Sequence, residues 1–231
     1  MAIESPSHRV GQPRTGGLPR RAAVFRHRSR RALEIVRHEG LLSLLARLAA
    51  LAGYRRGIVM SMSLTPAPPL VETDVELEYG FLEPGQLAAF TEYRPDIGAE
   101  VAEERLARGE RCFVAWYGDR IVSARWITRG RVRAPEFRLS LTLAADAVFT
   151  YDSYTCPDLR GRRVASAAAT RSAAALSAEG AQQAFVTVLP ENGAGIRNAE
   201  RSGYREVGRF AVLVLGPLPA LRVPYLGRSR R

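Results

Sequence analysis

Apolar and polar residues change their spacing several times along the chain, and each change marks a predicted element. Residues 1–28 hold Arg, Gly, Pro and Ser without an apolar period, which predicts a disordered basic tail. Over 29–64, Leu33, Val36, Leu41, Leu44, Leu45, Leu48 and Leu51 recur at helical spacing and predict an amphipathic helical extension. Thr65-Pro66-Ala67-Pro68-Pro69 then predicts a stiff linker over 65–72, because proline fixes φ and disfavours helix in the residue before it. The main domain is expected over 73–231.

Inside that domain Val75, Leu77 and Tyr79 alternate as a first strand, and 86–90 and 99–106 read as helices, the second stopped at Gly109. Strands at 112–116 and 121–126 join through Tyr117-Gly118-Asp119, a hairpin signal. Phe137, Leu139, Leu141 and Leu143 alternate with polar residues as a further strand, and another runs over 148–155. An alanine-rich helix follows over 164–179 and stops at Gly180. After it come a strand at 185–189, a short helix through Ile196 to Ser202 with Gly203-Tyr204 as its stop, and a terminal strand pair within 206–215. This order predicts an α/β chain with an α+β mixed sheet and helices on both faces.

Composition changes this picture in one respect. The 46% hydrophobic and 25% charged content is ordinary for a globular protein, but the net charge of +11 is not, and all 34 basic residues are arginine. Residues 1–56 carry 12 Arg against Glu4, Glu34 and Glu39, a net of +9 that leaves +2 for the remainder. The main domain therefore has little electrostatic support for nucleic-acid binding, and no sequence-specific nucleic-acid partner is expected. The basic segment 1–56 is instead a candidate surface for a membrane, an acidic carrier protein or a second subunit in a homodimer.

The apolar run at 41–52 contains Arg47 and falls well short of the roughly 20 residues a bilayer span needs, so the expected location is the cytoplasm, with peripheral membrane contact as the variant. Cys112 and Cys156 lie in or beside strands as small apolar side chains, outside any metal-ligand spacing. His8, His27 and His38 all precede the main domain, which leaves that domain without a histidine base or a histidine metal site.

The most specific chemistry lies at Arg160-Gly161-Arg162-Arg163-Val164-Ala165, between Cys156-Pro157-Asp158-Leu159 and the alanine-rich helix. A loop that feeds a helix N-terminus presents amides without intrahelical partners at the positive end of the dipole, so phosphate can be held there by main chain. Three arginines add charge.

Together with Asn192 after Pro190-Glu191 and with Gly203-Tyr204, this loop resembles the GNAT superfamily of acyl-CoA N-acyltransferases over 75–215. The family loop reads Arg or Gln, two residues, Gly, one residue, then Gly or Ala. Arg160 takes the first position, Arg163 stands where glycine is expected, and Ala165 takes the last. Arg163 fits if its backbone stays helical.

The resemblance implies a GNAT-like acyl-CoA N-acyltransferase fold with an N-terminal helical extension. It also implies acetyl-CoA or another acyl-CoA as co-substrate, no metal, and transfer to a primary amine of a small molecule or peptide. It places a bulge on the strand before the loop, which splays from the next strand and leaves a gap for the pantetheine arm beside Ser153, Thr155 and Cys156. The pyrophosphate falls to the loop made by Arg160, Gly161, Arg162, Arg163, Val164, Ala165 and Ser166. Asn192 would hold a backbone or pantetheine amide, cap its helix, or do both.

Acyl transfer to an amine needs a neutral amine, stabilisation of the oxyanion and protonation of the leaving thiolate. Asp152 is the candidate base, directly or through a water; the other role open to it is a salt-bridged strand carboxylate. Tyr151 and Tyr154 are candidates for hydrogen bonding to substrate, and Tyr154 or a water for the proton to the thiolate. The family's usual tyrosine for that step corresponds to Ala199. Two further readings stay open: a non-catalytic GNAT-like binding module, and an acyltransferase that uses a long-chain or carrier-protein donor. The acceptor pocket is expected between 88–109 and 129–146, whose composition points to no particular ligand.

Overall fold

The computed structural model describes residues 53–134, 137, 139–215 and 220–225. Its first element departs from the helix expected up to residue 64. Tyr54–Ser63 is a strand, β1, and not part of a helical extension. Ile58, Met60 and Met62 alternate into the core while Val59 and Ser61 face the other way. This period of two, carried in part by β-branched residues, replaces the leucine spacing at Gly53. Gly53 itself has φ +89, and a Cβ there would stand 2.1 Å from the Val214 carbonyl oxygen. The expected tail and the rest of the extension lie outside the described residues.

The segment expected as a spacer is bound to the domain. Leu64 is buried, and its N–H donates to the Gln182 carbonyl at 2.8 Å while its own carbonyl accepts from Ser177 Oγ at 2.6 Å. The Val71 N–H donates to Thr170 Oγ1 at 3.0 Å, and Arg171 Nη1 returns a bond to the Val71 carbonyl. Proline stiffness thus shapes a strap along a helix.

The remaining elements follow the predicted order, with the first strand shifted to 78–81 and short strands added at 131–134 and 221–222. They are β2 (Glu78–Phe81), a 3-10 turn at Pro84–Gln86, α1 (Leu87–Tyr93), α2 (Ala99–Ala107), β3 (Arg111–Tyr117) and β4 (Arg120–Arg129). Next come β5 (Arg131–Ala134), β6 (Leu139–Thr142), β7 (Ala147–Thr155), α3 (Val164–Ala178), β8 (Gln183–Val188), α4 (Gly193–Arg201), β9 (Arg205–Leu213) and β10 (Leu221–Arg222). The pair of strands expected within 206–215 is one strand, β9, whose partners are β1 and β10.

Eight strands form one sheet in the order β10-β9-β1-β8-β7-β4-β3-β2, with β5 and β6 as a separate hairpin. Its pairs are antiparallel except β7 with β8. Leu176 of α3 and Ile196 of α4 pack with Ile58, Met60, Met62 and Val148 on one face. Phe90 of α1 and Ala102 of α2 pack with Cys112, Val114 and Trp126 on the other. The parallel pair in mid-sheet, with helices on both faces, places the C-terminal end of β7 beside the start of α3.

Candidate functional site at the β7 bulge

On β4, Ala124 pairs with Tyr154 and Trp126 with Tyr151, so Asp152 and Ser153 together oppose Arg125. This is a β-bulge, and Asp152 occupies it with φ +46. On the opposite edge β7 pairs with β8 from Ala147↔Gln183 to Thr150↔Val186 and then stops, although β7 runs on to Thr155 and β8 to Val188. The two strands part at the bulge. The Cys156 N–H donates to the Val122 carbonyl at 2.8 Å, so by alternation the backbone groups of Thr155 point away from β4, toward the gap. Arg160 Nε donates to the Thr155 carbonyl at 3.2 Å and thereby ties the loop to the strand end.

The loop between β7 and α3 passes through a 3-10 turn at Pro157–Leu159. Gly161 has φ +82 and Arg163 has φ +62. The helical backbone expected at Arg163 is therefore not what the chain adopts: it keeps the left-handed conformation a glycine would take, with an arginine in place. Arg163 is the N-cap of α3 and makes no side-chain cap bond, and the first turn holds no acidic residue. A helix end of this kind can accept an anion on its first-turn amides and dipole.

Thr73 Oγ1 donates to the Arg162 carbonyl at 2.7 Å, and Arg162 pairs with Asp74 at 3.2 Å, so the strap also braces the loop. Val164 is core, and Ser166 Oγ is engaged with Asn198 Oδ1 at 2.7 Å. Their contribution to an anion site is limited to backbone.

A charge cluster lies on the α1/α2 side of the bulge. Asp152 accepts from Arg94 Nη2 at 3.1 Å and from Arg105 Nη1 at 2.8 Å. Arg94, only 2% exposed, also forks onto Asp96 with bonds of 2.9 and 3.2 Å. Burial by itself would raise the Asp152 carboxyl, but the Arg94 and Arg105 guanidiniums more than offset it and hold the group below the usual carboxylate range. Of the two roles open to Asp152, the geometry matches the salt-bridged carboxylate. A carboxylate with both oxygens taken and its proton affinity lowered is a poor base for an amine.

Tyr154 lies between two cations, with Arg94 5.0 Å and Arg160 5.4 Å from its ring centroid. Its carbonyl accepts from the Tyr93 hydroxyl, and the Tyr93 and Tyr154 rings meet edge to face. Tyr151 donates to Glu110, and burial, then that bond, raises its hydroxyl pKa. Burial also pushes the half-buried Cys156 thiol up, so it stays protonated at neutral pH. Among the described residues no group of three metal-ligating side chains lies together.

Asn192 caps α4, accepting from the Gly195 N–H at 2.7 Å. Ala199 is buried against the core beside Tyr204, whose hydroxyl lies 3.3 Å from Thr150 Oγ1. The structure thus gathers Asp152, Ser153, Tyr154, Thr155, Cys156 and the 160–163 loop at one end of β7. Sequence reasoning did not find Tyr93, Arg94, Arg105 and Glu110. Arg94 follows Tyr93 at the end of α1 and Arg105 is one of several charges on α2, so no spacing distinguishes either.

No protein-family model matches the chain, and no curated protein matches it. Among solved structures it is similar to an acetyltransferase of the GNAT family from Colwellia psychrerythraea, at 11% identity and TM-score 0.51, over 68% of this chain and 55% of that one. It is also similar to the GCN5-related glucosamine N-acetyltransferase region of a fungal multi-domain β-N-acetylglucosaminidase, at 12% identity and TM-score 0.50, over 74% of this chain and 22% of that one. The chain thus spans about half the length of the first of these proteins. The likeness is one of fold: this chain has the GNAT fold.

Proposed function

We propose that the chain is an acyl-CoA-dependent N-acyltransferase that moves an acetyl or other acyl group to a primary amine. The observation that carries this reading is the parting of β7 from β8 at a bulge, directly before a loop that opens an uncapped helix. The gap exposes the backbone groups of Thr155 to an amide-bearing arm. The left-handed residues Gly161 and Arg163 turn the α3 amides outward for a pyrophosphate. A backbone amide at the bulge is the donor for an oxyanion. Acyl-CoA, when bound, supplies the activated thioester. With Asp152 committed to two arginines, the acceptor amine loses its proton to water, and the transfer rate rises with pH until the amine is neutral.

Calorimetry of the full chain with CoA tests the reading. Gly161→Val is the informative variant: a Cβ at Gly161 meets nothing within 4 Å, so it perturbs backbone conformation and not packing. A left-handed β-branched residue costs about 1–2 kcal/mol, which corresponds to a CoA affinity about tenfold weaker. Wild-type protein that gives no heat with CoA, or a Gly161→Val protein that binds equally well, overturns the assignment. The burial of Ala199, where the family usually has a tyrosine, favours one alternative, a module that binds acyl-CoA without transferring from it. Thiol release from acetyl-CoA with and without simple primary amines separates the two, since the module binds and releases nothing.

A further inference from the structure

A residue other than glycine at positive φ is uncommon, and where it persists the surroundings must hold it. At Asp152 the surroundings are identifiable. Both carboxylate oxygens are taken, one by Arg94 from the end of α1 and one by Arg105 from the last turn of α2. The two cations are themselves fixed. Arg94 is forked onto Asp96 and lies over the Tyr154 ring. Arg105 is packed against the rings of Trp126 at 4.9 Å and Tyr151 at 5.2 Å.

We propose that Asp152 is a positioning residue: gripped by Arg94 and Arg105, it locks the β7 bulge at its left-handed φ and so fixes the strand end whose Thr155 backbone faces the gap beside β8. The lock joins the bulge to the two helices on that face of the sheet. Two residues set against one on β4 interrupt the ladder there, and a relaxed bulge would change the course of β7 up to Thr155. What the lock serves rests on the acyltransferase reading; the lock itself does not.

The test compares the full-length wild type with Asp152→Asn, Asp152→Gly and Asp152→Ala. Asn tolerates positive φ but keeps one acceptor oxygen, its amide N–H groups turned toward the other arginine; Gly keeps the φ without the grip, and Ala keeps neither. Amide hydrogen exchange across 151–156 is expected to quicken by about tenfold or more in the Gly and Ala proteins and by a smaller factor in the Asn protein. Thiol release from acetyl-CoA should follow the same order, falling about 10²-fold in Gly and Ala and by an intermediate factor in Asn. The shape of its pH profile should be common to all four, since Arg94, Arg105, Asp96, Tyr151, Glu110 and Cys112 around the carboxylate are unaltered.

Thermal unfolding reports whether each variant folds, and the Gly protein decides the matter if the Ala protein does not. Equal exchange in all four proteins overturns the lock. So does an Asn protein that loses thiol release as fully as Ala and loses the acidic limb of the profile while exchange is unchanged, because Asp152 is then a base. If wild type neither binds CoA nor releases thiol, the acyltransferase reading falls, and the exchange comparison still decides the lock.

Discussion

Replacing Met60 by alanine asks whether the strand ahead of the expected domain belongs to its core. Met60 is 1% exposed, lies opposite Val186 on one side and Glu206 on the other, and packs in the cluster that contains Leu176, Ile196 and Tyr204. Truncating a fully buried methionine costs about 2–5 kcal/mol, from lost burial and the cavity left behind. For a chain of this size that lowers the melting temperature by roughly 5–20 °C. Its neighbour Ser61 faces the other way and is half-buried, so Ser61→Ala should stay within about 0.5 kcal/mol.

A surface helix over the same residues makes the opposite forecast for Met60→Ala: neutral or slightly stabilising, because alanine is the best helix former. Urea unfolding should show a lower midpoint for Met60→Ala with an unchanged m value. If the two variants differ by less than about 0.5 kcal/mol, β1 is not a core strand and the packing argument fails.

Arg163→Gly should leave stability unchanged or raise it by up to about 1 kcal/mol, since relief of the left-handed strain outweighs the extra entropy of glycine in the unfolded chain. Arg163→Val should lose at least about 1 kcal/mol; melting curves of the two variants check the sign. Asp152 has a depressed carboxyl in the folded state, so its ion pairs stabilise the fold above the usual carboxylate range, and that stabilisation is lost as pH falls through the folded value. Wild type should therefore exceed Asp152→Asn in melting temperature at neutral pH and converge on it below about pH 4; a constant gap across the acid range would contradict the pairing.

Much of the frame was legible because its signals are local. The hairpin at Gly118, the stops at Gly109, Gly180 and Gly203, and the alanine-rich helix each lie within a few residues of the feature they specify, and these four glycines have positive φ. The turn that opens the alanine-rich helix was legible for the same reason: an Arg and Gly turn before a helix is written in consecutive residues. β1 was hidden by its neighbourhood. The leucines before Gly53 set a helical reading that carried past the glycine, while Ile58, Met60 and Met62 were too few to announce a strand without the partners that flank them.

By itself the sequence determined the succession of the main helices and strands from α1 to β9 and the conformational demand at Gly161. Each follows from backbone propensity and periodicity over short stretches, which tertiary contacts seldom reverse when the pattern is strong. Tertiary structure alone decided the role open to Asp152. Its partners stand 58 and 47 residues away in the chain, on two helices whose charges look like any solvated face. A carboxylate's proton affinity is set by the charges and burial around it in space, and only the folded chain brings Arg94 and Arg105 to the bulge.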